Sequence, residues 1–201
     1  ANPVIEKLDF DFASCGYALC IVDTGGSHSD LTDEYAAVRK EMESVAEYLG
    51  KSVLREVDED EFMKNIADIR SSCGDRAVLR AMHFYGDNAR VEKQAAALKA
   101  GDFETFKKYI IESGRSSYMY NQNVYSCKKA SEQPVSLALS LSEKLLDGCG
   151  AWRVHGGGFA GTIQAFVPLN KLDEYKDLME KVFGSGSCYI LSVRPVGGVE
   201  L

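Results

Sequence analysis

The stretch that most constrains this chain is Ala151-Trp152-Arg153-Val154-His155-Gly156-Gly157-Gly158-Phe159-Ala160-Gly161-Thr162-Ile163-Gln164-Ala165-Phe166-Val167-Pro168. Four of the six residues from Gly156 to Gly161 lack a side chain, and short segments that alternate apolar and polar residues flank them. Glycine loses more conformational freedom on ordering than any other residue, so such a run is kept where the backbone turns left-handed or another group comes too close for a Cβ. A tight hairpin needs only about two to five loop residues. The loop is therefore expected to meet a ligand or another backbone closely, a plain structural crossing being the alternative.

The spacing Gly156, Gly158, Gly161 reads G-x-G-x-x-G. A dinucleotide fingerprint needs a helix directly after the glycines, its N-terminus meeting the pyrophosphate. Here Ile163, Ala165 and Val167 alternate with Thr162, Gln164 and Phe166, which is a strand signature and excludes that reading. A phosphate-binding P-loop would need Lys after Gly161, and Thr162 stands there.

With 201 residues, 45% apolar and 26% charged, the chain is long enough to bury a proper core in one domain. A net charge of −7 and a pI near 5.1 argue against a nucleic-acid partner, while a small anionic substrate stays open. The six cysteines, Cys15, Cys20, Cys73, Cys127, Cys149 and Cys188, form no C-x-x-C pair and no zinc pattern, so no metal site is expected. Together with the lack of a secretory signature over residues 1–16, they lead to the expectation of reduced, mostly buried thiols in a cytoplasmic protein. No apolar run approaches the roughly 20 residues of a membrane helix, and no membrane partner is expected.

Along the chain, Glu6 to Phe12 alternates Leu8, Phe10 and Phe12 with Lys7, Asp9 and Asp11, and Tyr17 to Val22 is apolar. Both read as strands, joined near Ser14-Cys15-Gly16. Thr32 is an N-cap candidate for an amphipathic helix carrying Tyr35, Val38, Met42, Val45 and Leu49, which Gly50 ends. Helices are expected over Asp60 to Arg70, from Asp75 to about Ala100, after the Asp102 cap, over Pro134 to Leu146, and over Asn170 to Phe183. Residues Ser113 to Ser131, with Tyr118, Tyr120, Asn121, Asn123 and Tyr125, read as a loop or a frayed helix end. A strand over Cys188 to Val193 closes the pattern. Helix, strand, strand, helix, strand gives an α+β two-layer sandwich, a ferredoxin-like antiparallel sheet with helices on one face, plus an additional helical region.

Few residues announce chemistry by themselves. His28, among Ser27, Ser29 and Asp30, reads as a base or as a capping, solvated residue. His155 either faces a ligand beside the glycine loop or fixes the loop through backbone bonds. His83 lies inside a helix and reads as structural, and Asp58-Glu59-Asp60-Glu61 as a solvated helix start. Tyr35 belongs to the core face by periodicity, although a phenol near a helix start can pack its ring and turn its hydroxyl into a cleft.

The segment Val154-His155-Gly156-Gly157-Gly158-Phe159-Ala160-Gly161-Thr162 resembles the third motif of the GHMP kinases, in particular the T-G-G-G-F-G-G of the galactokinase family. Asp23-Thr24 through His28-Ser29, Asp33-Glu34-Tyr35 and Val38-Arg39 are similar to that family's R-H-S-x-x-x-x-E-Y-x-x-R-R run. Met82-His83 with Asn88-Ala89-Arg90 resembles R-x-x-H with E-N-x-R. Gly101-Asp102-Phe103 and Glu112-Ser113-Gly114 through Ser126-Cys127 resemble the segment ending S-C-P-E-L-D. The resemblance covers nearly the whole chain but only the C-terminal half of such a kinase.

The resemblance implies that residues 1–201 form a GHMP kinase C-terminal domain of an ATP-dependent sugar 1-kinase, transferring the γ-phosphate to galactose or a relative. The family's phosphate-binding loop and catalytic aspartate lie in the other half, which would hold ATP and magnesium, so this chain alone is expected to be inactive, with no catalytic residue of its own. Tyr35 corresponds to the tyrosine that contacts the sugar. Gly156, Gly157, Gly158, Phe159 and Gly161 correspond to the loop beside the active site, with His28 and His155 as pocket support. Three departures stand out: His155 in place of Thr, Ala160 in place of Gly, and Gly25-Gly26 where a charged residue is common. The partners implied are a sugar and the N-terminal half. The alternative is a non-catalytic sugar-sensing or interaction module.

Overall fold

A computed structural model of the chain describes residues 6–8, 10–26 and 31–193. Among the described residues, four strands, β1 (Tyr17–Asp23), β2 (Ala151–Val154), β3 (Thr162–Pro168) and β4 (Cys188–Leu191), form one antiparallel sheet in the order β2-β3-β1-β4. The described residues also form seven α-helices: α1 (Thr32–Tyr48), α2 (Glu59–Lys64), α3 (Ile66–Cys73), α4 (Asp75–Lys99), α5 (Phe103–Ser116), α6 (Pro134–Leu146) and α7 (Leu172–Phe183). The ferredoxin-like α+β architecture read from the sequence is the observed one.

Alternation divides the sheet's two faces. Ala18, Cys20 and Val22 of β1, with Ile163, Ala165 and Val167 of β3, pack against Val135, Ala138 and Leu146 of α6 and Tyr175 and Met179 of α7. Leu19 and Phe166 point the other way, onto Phe103, Phe106 and Ile110 of α5. The additional helical region thus covers the second face at its β2–β3 end. A separate core of Val45, Leu54, Phe62, Ile69, Val78 and Ala81 joins α1 to α4.

Four expectations are corrected. Of the six thiols expected to be mostly buried, only Cys20 and Cys188 are; Cys15 and Cys127 are exposed, and Cys73 and Cys149 are half-buried. The described residues between Glu6 and Phe12 form no strand: Phe10 and Phe12 stack into the rings of Phe103, Phe106 and Phe166, so their alternation reflects a packed arm rather than a ladder. The helix expected over Asp60 to Arg70 is two, because Asn65 ends α2 and opens α3, while Phe62 and Ile69 still face the core. Leu31, not Thr32, holds the N-cap position of α1. The segment Ser113 to Ser131 continues α5 to Ser116, takes a π-helical turn over Ser117–Asn121, and makes a short 3-10 turn at Cys127–Lys129. Asp58 accepts from the Asp60 amide and caps α2, so the acidic run is a helix start.

Candidate functional site

The β2–β3 ladder ends where the His155 amide donates to the Thr162 carbonyl at 3.0 Å. Beyond it the backbone turns left-handed at Gly156 (φ 69°), Gly158 (82°), Phe159 (59°) and Gly161 (95°). Phe159 pays a strain of about 1–3 kcal/mol for that φ, and its surroundings enforce it. Its amide donates to the Asn123 carbonyl at 2.5 Å, and its ring is buried with Leu31 and Ala160.

The close approach expected of this loop is to protein groups. A Cβ on Gly158 would stand 1.9 Å from the Asn123 carbonyl oxygen, and one on Gly157 2.8 Å from Cε1 of Tyr35. The Tyr35 hydroxyl donates to the Gly158 carbonyl at 2.7 Å, while its ring meets Phe159 edge-to-face at 5.3 Å. Burial raises the pKa of that phenol. From the opposite side, the hydroxyl and amide of Thr24 both donate to the Gly161 carbonyl, at 2.6 and 2.8 Å. Asn123 Nδ2 donates to the Gly157 carbonyl at 3.1 Å. The loop is clamped from α1, from the end of β1 and from the segment after α5.

That last segment is itself anchored. Arg80 of α4 is fully buried; its Nε donates to the Asn121 carbonyl at 3.0 Å and its Nη1 to Glu41 Oε2 at 2.8 Å. Glu41 also takes both arms of Arg76. Ser126 Oγ donates to Glu34 Oε1 at 2.6 Å in a buried contact between the segment and α1.

Of the clefts beside the loop, two are lined by its glycines or by Ala160. One, of about 480 Å³, lies between α1, α4 and Gly156–Gly157; Tyr35, Met42, Phe84, Asn121 and Asn123 are among its walls. The other, of about 670 Å³, opens over Thr24, Gly26, Ser126, Lys129 and Ala160 at the start of α6. Both volumes suit a small molecule.

The other candidates distribute as follows. His28 lies outside the described residues. His155 is exposed, its Nδ1 3.1 Å from Oε1 of Gln164 on β3, and neither cleft is lined by it. His83 is buried, with Nδ1 2.9 Å from Ser116 Oγ, and burial lowers its pKa against the opposing field of Asp87. Burial raises the Asp87 carboxyl, yet hydrogen bonds from Ser113 and Arg90 outweigh it and hold the group below its ordinary value. Among the described residues no group of three or more His, Cys, Asp or Glu could hold a metal ion, and no helix is long and apolar enough to cross a membrane. What the arrangement offers chemically is positioning: a rigid loop with an aromatic and aliphatic wall beside it.

Sequence reasoning singled out Tyr35 and the glycines, which the fold brings into contact. The roles of Asn123, Thr24 and Arg80 went unseen. A polar run after a helix was visible, but a bond between backbone groups 36 positions apart leaves no mark in side-chain pattern.

No protein-family model matches the chain. It is 31% identical over 184 residues to the galactokinase of Homo sapiens, covering 92% of this chain and 44% of that protein. Over 164 residues it is 26% identical to the galactokinase of Actinobacillus pleuropneumoniae serotype 5b, covering 82% of this chain and 41% of the relative. Among solved structures, the fold matches Lactococcus lactis galactokinase complexed with galactose with a TM-score of 0.64 at 20% identity, over 88% of this chain and 45% of that one. The chain thus spans less than half the length of these relatives.

Proposed function

We propose, from the premise that this chain is galactokinase-like in sequence and in fold, that it is the C-terminal part of an ATP-dependent sugar 1-kinase, in which it forms one wall of the sugar pocket. The observation that carries the reading is the contact between Tyr35 and the glycine loop. The two segments that most resemble the family lie more than 120 positions apart, yet the Tyr35 hydroxyl and ring lock onto Gly157, Gly158 and Phe159. A hexose such as galactose, the ligand named for the Lactococcus lactis structure, is the substrate class we assign.

Phosphoryl transfer depends on positioning and on charge neutralisation at the moving group. This chain would supply the first. The clamped loop fixes one side of the pocket, and Tyr35 orients the sugar against it. As the resemblance to the family implies, ATP and magnesium would be held mainly by the N-terminal half of such a kinase. On this reading the 201-residue chain alone does not turn over.

The second reading is a non-catalytic galactokinase-like sugar-sensing or interaction module. The intact mass of the native polypeptide that carries this sequence decides between them. A mass near or above twice 22.1 kDa supports the kinase part, and a mass near 22.1 kDa supports the module.

A further inference from the structure

Another cleft, of about 330 Å³, shares no lining residue with the two described above. It lies along β2, the edge strand of the sheet, between α5 on one face and α6 on the other. Gly114 lets α5 pack closely on this edge: a Cβ there would stand 2.9 Å from Cβ of Arg153 and 3.1 Å from the Trp152 carbonyl oxygen. Hydrogen-bonded pairs of an antiparallel ladder recur at every second residue. With the His155 amide bound to Thr162, Arg153 turns its amide toward β3 and Trp152 turns its own toward the open edge.

The charges lining this cleft do not balance. Arg153 is half-buried, and its Nε donates to the neighbouring Val154 carbonyl at 3.2 Å. Its two terminal nitrogens have no hydrogen-bond partner and no carboxylate within 4 Å among the described residues, yet they keep contact with solvent, unlike the sealed Nη2 of Arg90. Burial lowers the Arg153 pKa; the field of Asp87 opposes this, and the like charge of Arg90 adds to it. Asp87 is itself already bound by Arg90 and Ser113. Arg115 of α5, exposed at the same cleft, makes no hydrogen bond or ion pair with any described residue. Glu143 of α6 is the one carboxylate among the described lining residues, so the cleft holds one positive charge in excess, in a chain whose net charge is −7. A partly desolvated cation without a partner is costly, and a planar carboxylate meets a guanidinium through two parallel hydrogen bonds. The remaining wall is apolar and aromatic, from Ile111, Leu139, Tyr118 and Trp152. We infer that this cleft binds a small organic monocarboxylate, its carboxylate held by Arg153 and Arg115 and its apolar body lying between α5 and α6. An inorganic phosphate is the poorer match, since the excess is a single charge and the apolar wall gives a bare ion no contact. The inference stands apart from the sugar-kinase reading.

Trp152 lines the cleft and is the single tryptophan, so its fluorescence reports occupancy in the 201-residue chain. The probes are phenylacetate, its neutral amide phenylacetamide, and inorganic phosphate, each titrated at constant ionic strength. A saturable change with phenylacetate, about tenfold weaker with the amide and absent with phosphate, is expected, because the amide loses the charge-assisted bonds. Arg115→Gln should bind phenylacetate about fivefold more weakly with an unchanged unfolding midpoint, since Arg115 has no partner to lose. Arg153→Lys keeps the charge without the two-pronged geometry, and should bind more weakly than the wild type but more tightly than Arg153→Gln. Equal affinity for acid and amide, wild-type affinity in Arg115→Gln, or no saturable change with phenylacetate would overturn the inference, as would phosphate producing the same change.

Discussion

An alanine at position 158 sets two separable penalties against each other. Gly158 and Gly156 both lie in the left-handed region, at φ 82° and 69°, where an L side chain costs roughly 1–2 kcal/mol. At Gly156 nothing lies within 4 Å of an added Cβ, so Gly156→Ala carries that penalty alone. At Gly158 the methyl would stand 1.9 Å from the Asn123 carbonyl oxygen, and the backbone must move. That oxygen accepts from the Phe159 amide, and the Gly158 carbonyl accepts from Tyr35. Losing both bonds adds about 1 kcal/mol each. Gly158→Ala should therefore destabilise by about 3–4 kcal/mol, roughly 2 more than Gly156→Ala. Urea unfolding followed by the fluorescence of the single tryptophan, buried Trp152, measures both. Equal loss in the two variants would refute the claim that close approach, rather than dihedral preference alone, demands glycine there.

Other outcomes follow from the same contacts. Glu41→Ala leaves Arg80 buried with only the Asn121 carbonyl as partner and should cost near the lower end of about 3–5 kcal/mol, whereas Arg80→Met leaves Glu41 still paired with Arg76 and should cost less; the reverse order in urea unfolding would refute the account of the anchor. Since burial holds the His83 pKa below 6.5, the unfolded chain takes up a proton that the folded chain resists. Stability is thus complete above about pH 6.5 and declines as pH falls toward the folded-state value, and His83→Gln should remove that slope. An acid slope unchanged in the variant would rule His83 out as its source. Tyr35→Phe removes the bond to Gly158 and should cost about 1 kcal/mol in thermal or urea unfolding, with no loss at all contradicting the clamp.

How much of this was legible depends on the range of the interaction. The helices carrying Phe106 and Ile110, or Tyr175 and Met179, were readable because one buried stripe repeats at helical spacing. Strands β1 and β3 were readable because their alternation divides two covered faces. The arm at Phe10 and Phe12 has the same alternation without a ladder, since aromatic packing satisfies the pattern as well as a sheet does. At the site, the glycine loop announced a close approach but not what approaches. The answers, the ring of Tyr35 and the carbonyl of Asn123, depend on backbone position and on elements distant in sequence. A carbonyl has no residue type to recognise, and the free terminal nitrogens of Arg153 are defined by missing partners that only coordinates can show missing.

The most direct test of the central claim is phosphate transfer from MgATP to galactose, measured side by side for the 201-residue chain and for the native polypeptide that carries it. The account expects galactose 1-phosphate from the native polypeptide and none from the chain alone. Transfer by the isolated chain would contradict the assignment of the catalytic groups to another half, and a native polypeptide that binds hexose without phosphorylating any would contradict the kinase reading itself.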